Sequence, residues 1–374
     1  MMGVYVHVPF CRRKCFYCGF YSVASLVLKK AYLEAITREM VLRRGYLEEV
    51  PAETLYLGGG TPSCLELPEL EVLVNALEGE YSFARDAERT IEMNPEDLTR
   101  EKLLGLRALG FNRVSVGVQS FSDERLKQVN RGHTGGEAVR GIERAAGVGF
   151  ENISMDLIVG LPGQTEAEVR AEVEQACRLP VQHVSVYMLS VDPGTVFAYR
   201  QRRGELPLVE DDRVAAYFQL TCEILKEHGF TRYEISNFAR NGKYSRHNTA
   251  YWRQQPYIGL GPSAHSYDLD SRQWNVSQLR VYVEHLRQGK LAYEWETLDE
   301  RDLYNEYVMT NLRTMWGVEE TVLWQRYGAC FRQAYPFWQR YLERGELVRA
   351  GSRIRVSEAG WLISDAIFSD LFVV

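Results

Sequence analysis

Val4-Tyr5-Val6-His7-Val8-Pro9-Phe10-Cys11-Arg12-Arg13-Lys14-Cys15-Phe16-Tyr17-Cys18 joins a strand-like alternation to three cysteines within eight residues. Three soft ligands so close together, directly after a strand, read as a metal or iron–sulfur site. The remaining cysteines, Cys64, Cys177, Cys222 and Cys330, are scattered and the total of seven is odd, so the pattern of a disulfide framework is absent. Zinc is the rival occupant, with His7 available as a fourth ligand. A four-iron cluster normally takes four cysteines, so three leave one iron open to a small molecule.

Outward from that loop, strand-like and helix-like segments alternate: Val4–Val8, Tyr32–Arg43, Thr54–Leu57, Leu67–Leu77, Arg89–Met93, Arg100–Leu109, Arg113–Val118, Glu137–Ala146, Ile153–Val159, Glu166–Cys177 and Val184–Leu189. Six strand–helix units predict an α/β fold with a parallel sheet, doubly wound or closed into a partial (β/α) barrel. In a barrel the ligand site lies at the carboxyl ends of the strands. Five successive strand ends carry groups suited to one: the cysteine loop, Gly58-Gly59-Gly60-Thr61-Pro62, Glu92, Gln119 and Asp156. Any of these carboxylates alone would pass for a solvated strand end; their shared position argues otherwise. The glycine run lacks the spacing of a nucleotide loop, and its use is close backbone approach to an amino-acid-like ligand.

These residues together resemble the radical S-adenosylmethionine (SAM) proteins: Cys-x-x-x-Cys-x-x-Cys with Tyr17 before the third cysteine, then Gly-Gly-Gly-Thr-Pro. Tyr5-x-His7-x-Pro9-Phe10-Cys11, Glu92-x-Asn94-Pro95, Gly117-Val118-Gln119-Ser120-Phe121, Asp156-Leu157-Ile158-x-Gly160-Leu161-Pro162-Gly163-Gln164 and Tyr233-Glu234-Ile235-Ser236-Asn237-Phe238-Ala239 are similar to the coproporphyrinogen dehydrogenase-like (HemN-like) branch. The resemblance covers nearly the whole chain. It implies a partial (β/α)6 radical SAM barrel and a [4Fe-4S] cluster on Cys11, Cys15 and Cys18. One or two SAM molecules would be held by Gly59, Gly60, Thr61 and Glu92, with Tyr5, Tyr17, Gln119, Arg131 and Asp156 around them.

Within the branch, the dehydrogenases carry a further cysteine where this chain has Phe20, and a long extension before the cluster where Cys11 is preceded by ten residues. Both departures match the haem chaperone subfamily, as does Arg246-His247-Asn248-Thr249-Ala250-Tyr251-Trp252, which resembles its His-Asn-x-x-Tyr-Trp signature. The resemblance implies His247 as haem-iron ligand, with Tyr251 and Trp252 as flat walls for the porphyrin; His265 is the second candidate. Gly19 stands where those chaperones often carry an acidic residue. Three functions therefore compete: a haem chaperone serving an acceptor protein, with respiratory proteins among the options; a radical SAM enzyme acting on a tetrapyrrole; and a zinc-stapled structural protein. Residues that hold SAM are also those that permit its cleavage, so enzymatic use stays open at this stage, and a reductant of the cluster belongs with either SAM reading.

The expected divisions are a barrel over 1–205, a connecting region with the haem motif over 206–295, and a mainly helical, winged-helix-like domain over 296–374. A formal charge of −6 without long basic blocks argues against nucleic acid. No run of eighteen apolar residues and no leader-like start occurs, so a cytoplasmic location is expected, with any membrane attachment peripheral and through the acceptor.

Overall fold

In β1 (Gly3–Val8) the valines 4, 6 and 8 are fully buried on one face, and Tyr5 and His7 lie between them on the other. The same two-residue period runs through β2 (Ala52–Gly59), β3 (Phe83–Met93), β4 (Arg113–Gln119), β5 (Ile153–Val159) and β6 (His183–Met188). Leu55, Leu57, Ile91, Val114, Val116, Ile153, Met155, Val184 and Val186 join one core with helix residues such as Ile36, Leu73, Leu106, Ile142 and Val173. The alternate positions, among them Thr54, Tyr56, Glu92, Ser115 and Asp156, are left to face inward. The computed structural model describes residues 2–47 and 50–374.

The six strands pair in parallel in chain order, with α1 (Lys29–Leu42), α2 (Leu67–Glu80), α3 (Arg100–Ala108), the short α4 (Asp123–Gln128), α5 (Gly135–Gly147) and α6 (Glu166–Arg178) in the crossovers. Local signals set the helix starts: Thr134 with Glu137 and Thr165 with Glu168 form capping boxes that satisfy first-turn N–H groups of α5 and α6. This is the expected partial barrel.

Residues 206–295, expected as a connecting region, contribute strands to the same sheet. After α7 (Val196–Arg202) and α8 (Asp211–Glu227), β7 (Thr231–Arg232) and β8 (Asn237–Ala239) form a pair whose inner member is antiparallel to β6. Beyond α9 (Arg246–Trp252), β9 (Tyr257–Leu260) pairs in parallel with β1 on its free side. β10 (His265–Tyr267), β11 (Ser271–Asn275) and, after α10 (Leu279–Arg287), β12 (Tyr293–Thr297) then extend the sheet to the order β12-β11-β10-β9-β1-β2-β3-β4-β5-β6-β8-β7. A buried carboxylate on α1 clamps this return: Glu39 accepts from Gly261 N (2.8 Å), Asn275 (2.6 Å) and Tyr282 (2.5 Å), with Arg43 beside it.

The last segment has its own core around Tyr304, Phe331 and Trp338. It comprises α11 (Glu300–Leu312), β13 (Val318–Glu319), α12 (Glu320–Arg326), α13 (Gly328–Glu343), β14 (Leu347–Ala350), β15 (Arg353–Val356) and α14 (Ser364–Leu371). The helices surround a three-stranded sheet ordered β13-β15-β14, a winged-helix-like arrangement. The Tyr233–Ala239 motif docks it: Glu234, fully buried, takes a forked ion pair from Arg313 (3.0 and 3.2 Å), and Met315 N donates to Tyr233 O. Among the described residues no helix is long and apolar enough to cross a membrane.

Candidate functional site

Cys11, Cys15 and Cys18 all line one cleft of about 900 Å³ at the carboxyl ends of the parallel strands. The loop that carries them is pinned on both sides, by Cys11 N to Val23 O and by Phe16 N to Val129 O. Two sulfurs already have donors: the Thr61 hydroxyl lies 3.5 Å from Cys11 Sγ, and Arg131 Nη1 3.5 Å from Cys15 Sγ. Donors and a guanidinium aimed at sulfur suit anionic thiolates. Among the described residues no three His, Cys, Asp or Glu side chains converge on a single metal-binding point.

Beside the loop, Gly59 sits at φ 105°, a conformation open mainly to glycine, and a Cβ there would lie 2.6 Å from the His7 ring. A Cβ on Gly60 would meet the Phe10 carbonyl at 2.7 Å, so the second and first strand ends touch only because both side chains are missing. Glu92 accepts from Tyr56 Oη (2.8 Å) and from Gly59 N (3.2 Å). Burial nevertheless pushes its carboxyl up to about 7, with Asp156 adding to the rise. Burial likewise lifts Asp156 to about 6. Two buried carboxyls on a glycine-edged wall are matched to a cationic ligand end such as an ammonium.

Gln119 adopts φ 67° beside a register shift between β4 and β5, which turns its side chain into the cleft. Arg131, a lone arginine in the sequence, is drawn in by Asn94 Oδ1 (2.9 Å) and the Gly117 carbonyl. Tyr5 and Tyr17 also line the cleft, and Tyr5 Oη donates to His7 Nδ1 (3.1 Å). His7 itself is turned to the Tyr21 carbonyl, framing the cysteine loop.

The other end of the cleft is aromatic, with Tyr251, Trp252, Tyr257, Tyr267 and His265 on its wall. His247 lies behind this surface, only 2% exposed. Its ring stacks on Tyr56 (5.0 Å) and Tyr5 (6.3 Å), its Nδ1 is 2.7 Å from Thr54 Oγ1, and its Nε2 is 2.9 Å from Tyr251 Oη. Burial lowers it to about 3, which keeps the imidazole neutral. When Nδ1–H donates to Thr54 Oγ1, the Nε2 lone pair accepts from Tyr251 Oη, whose ring lines the cleft. Trp252 carries the Arg313 guanidinium over its ring at 4.0 Å, so one face is already covered.

Three participants escaped the sequence reading. Tyr56 holds Glu92 and stacks on His247; the alternation Thr54, Tyr56, Gly58 was its signal. Arg272 lines the cleft while paired with Glu306 (2.6 Å), on a strand too short to stand out. Asp192 lines it too, and its Oδ2 lies 2.5 Å from where a Gly19 Cβ would be. A carboxylate therefore does stand beside Gly19, the residue after the third cysteine, delivered from the loop after β6.

Residues 5–176 match the Radical SAM superfamily. The chain is 33% identical over 373 residues to "Heme chaperone HemW" of Bacillus subtilis (strain 168), covering 98% of each protein. It is 36% identical over 374 residues to "Heme chaperone HemW" of Mycobacterium tuberculosis (strain ATCC 25618 / H37Rv), covering 99% of this chain and 94% of that one. Among solved structures, coproporphyrinogen III oxidase (HemN) from Escherichia coli, described as a radical SAM enzyme, aligns with a TM-score of 0.87 at 25% identity, over 100% of this chain and 90% of that one.

Proposed function

The chain belongs to the HemW family of HemN-like radical SAM proteins, and from that membership we propose that it binds haem and passes it to an acceptor protein, carrying a [4Fe-4S] cluster and SAM. The observation that carries the reading is a single cleft with two chemically distinct ends: three thiols, a glycine edge and two buried carboxyls at one, aromatic walls and histidine at the other. Its volume of about 900 Å³ stands near the top of the range for small-molecule sites, roughly 300–1,000 Å³.

Cys11, Cys15 and Cys18 would ligate the cluster, with Thr61 and Arg131 donating to sulfur. Bound in that way, the cluster supplies an open iron for SAM and an electron from an external reductant. Glu92 accepts the ligand's ammonium, and the Gly59–Gly60 backbone, Gln119, Arg131 and Asp156 orient the rest. His247 would hold the haem iron through Nε2, the nitrogen that now faces Tyr251 Oη, with Thr54 at Nδ1 fixing its tautomer. Tyr251 and the uncovered face of Trp252 flank the macrocycle. Cytoplasmic work, and contact with a membrane only through the acceptor, complete the reading.

The test is anaerobic reconstitution with iron and sulfide, then incubation with SAM, dithionite and either haem or coproporphyrinogen III. Stoichiometric haem binding without decarboxylation is expected; conversion to protoporphyrinogen IX would establish the dehydrogenase instead. His247→Ala should weaken haem binding at least about tenfold while the cluster spectrum persists. An unchanged titration would move the ligand to His265.

A further inference from the structure

A second recess, of about 650 Å³, opens beside the cleft, and Trp252 and Gln254 line both. Its far wall comes from the C-terminal domain, where Arg353 and Arg355 project from alternate positions of β15, and Arg253 lies over the Trp316 ring at 4.9 Å. Arg353 is partnered by Glu319 (3.0 Å). Arg253 and Arg355 make no ion pair among the described residues, and no carboxylate lines the recess.

Two of the lining residues, Trp252 and Gln254, each carry a buried donor without an acceptor, Nε1 and Nε2 respectively. Trp252 is held under Arg313, which Glu234 fixes in turn, and Gln254 follows α9 at φ 50°, a left-handed conformation unusual for a side chain of its kind. Three guanidinium groups, of which only Arg353 is paired, and two N–H donors without acceptors complement one kind of group, an anion with several acceptor oxygens.

We propose that this recess is the carboxylate subsite of the tetrapyrrole, receiving a propionate of the haem whose ring lies in the main cleft. The inference rests on the haem-carrier reading above and adds to it the part of the ligand that the C-terminal domain grips. The propionate satisfies Trp252 Nε1 and Gln254 Nε2, and Arg353 and Arg355 neutralise it across the groove. Haem binding thereby bridges the α9 motif and the wing, so that ligand occupancy is coupled to how the two domains sit together.

The test titrates the reconstituted full chain with haem and with haem dimethyl ester, whose propionates are uncharged. The wild type should prefer haem by about tenfold to a hundredfold. Arg353→Gln/Arg355→Gln should lose most of the wild type's preference for haem over the ester, with cluster absorbance and SAM affinity unchanged. Both arginines are exposed, so the fold is not at risk, and the ester arm uses the wild type alone. Equal affinities of the wild type for haem and ester would overturn the subsite while leaving haem carriage intact. Failure of the wild type to bind haem at all would overturn the carrier reading, and the subsite with it.

Discussion

Replacing Glu92 by glutamine should move stability and ligand affinity in opposite directions. Burial lifts the Glu92 carboxyl from its ordinary 4.5 to about 7. An acid raised in this way favours the folded state in its protonated form. Its contribution is present below about pH 4.5 and is lost as the pH climbs through about 7. At about 1.4 kcal/mol per pH unit, the ligand-free protein gives up about 3 kcal/mol over that window. Glutamine carries no charge to bury and can still accept one of the two hydrogen bonds from Tyr56 and Gly59. Losing the other costs about 1 kcal/mol, leaving the variant about 2 kcal/mol more stable than the wild type near pH 8 and about equally stable near pH 5. With SAM the sign reverses, because the ammonium loses its buried counter-charge and affinity should fall by about a hundredfold or more. Thermal unfolding at both pH values, with calorimetric titration of SAM into the reconstituted protein, reads both effects. SAM affinity within about threefold of wild type would refute the assignment of Glu92 to the ammonium. A variant less stable than wild type at both pH values would refute the electrostatic account of its burial.

Cys15→Ser should abolish the brown charge-transfer absorbance after reconstitution while the far-ultraviolet dichroism of the barrel remains; full absorbance would refute the ligand assignment. Gly19→Asp should lower stability by about 2 kcal/mol, since its Cβ meets Asp192 at 2.5 Å and two carboxylates then crowd one spot. Adding Asp192→Ala should restore the melting temperature. Losses that simply add would show that the two side chains do not share a role.

The barrel was legible because its strands are built on a strict alternation and its helices start at side-chain caps, both local properties of the chain. Glu92, Gln119 and Asp156 could be assembled from their common place at strand ends, and the structure brings them to one cleft. The return of β9–β12 could not be read. β10 is three residues long, and β12 is exposed throughout, so neither carries a periodic apolar signal. His247 was read as the haem-iron ligand from its motif; that its imidazole is buried against Tyr5 and Tyr56, with Nδ1 held by Thr54 of another strand, is a tertiary outcome no local pattern announces. Asp192 is invisible for the same kind of reason, since its nearness to Gly19 arises only when the loop after β6 meets the loop after β1.

The placement of β1 between β2 and β9 also orders events in time. Its neighbour on one side follows within some fifty residues, whereas the other is Tyr257–Leu260, deep in the second half of the chain. On a ribosome, the three-cysteine loop therefore emerges long before the strand that closes its flank can be made, and pairings so distant in sequence form late. The thiols are therefore made well before β9 can pair with β1, and in that interval their loop has only one of its flanking strands. Maturation of the iron–sulfur centre thus has a natural window, set by translation, which a circularly permuted chain with β9 placed ahead of β1 would forfeit.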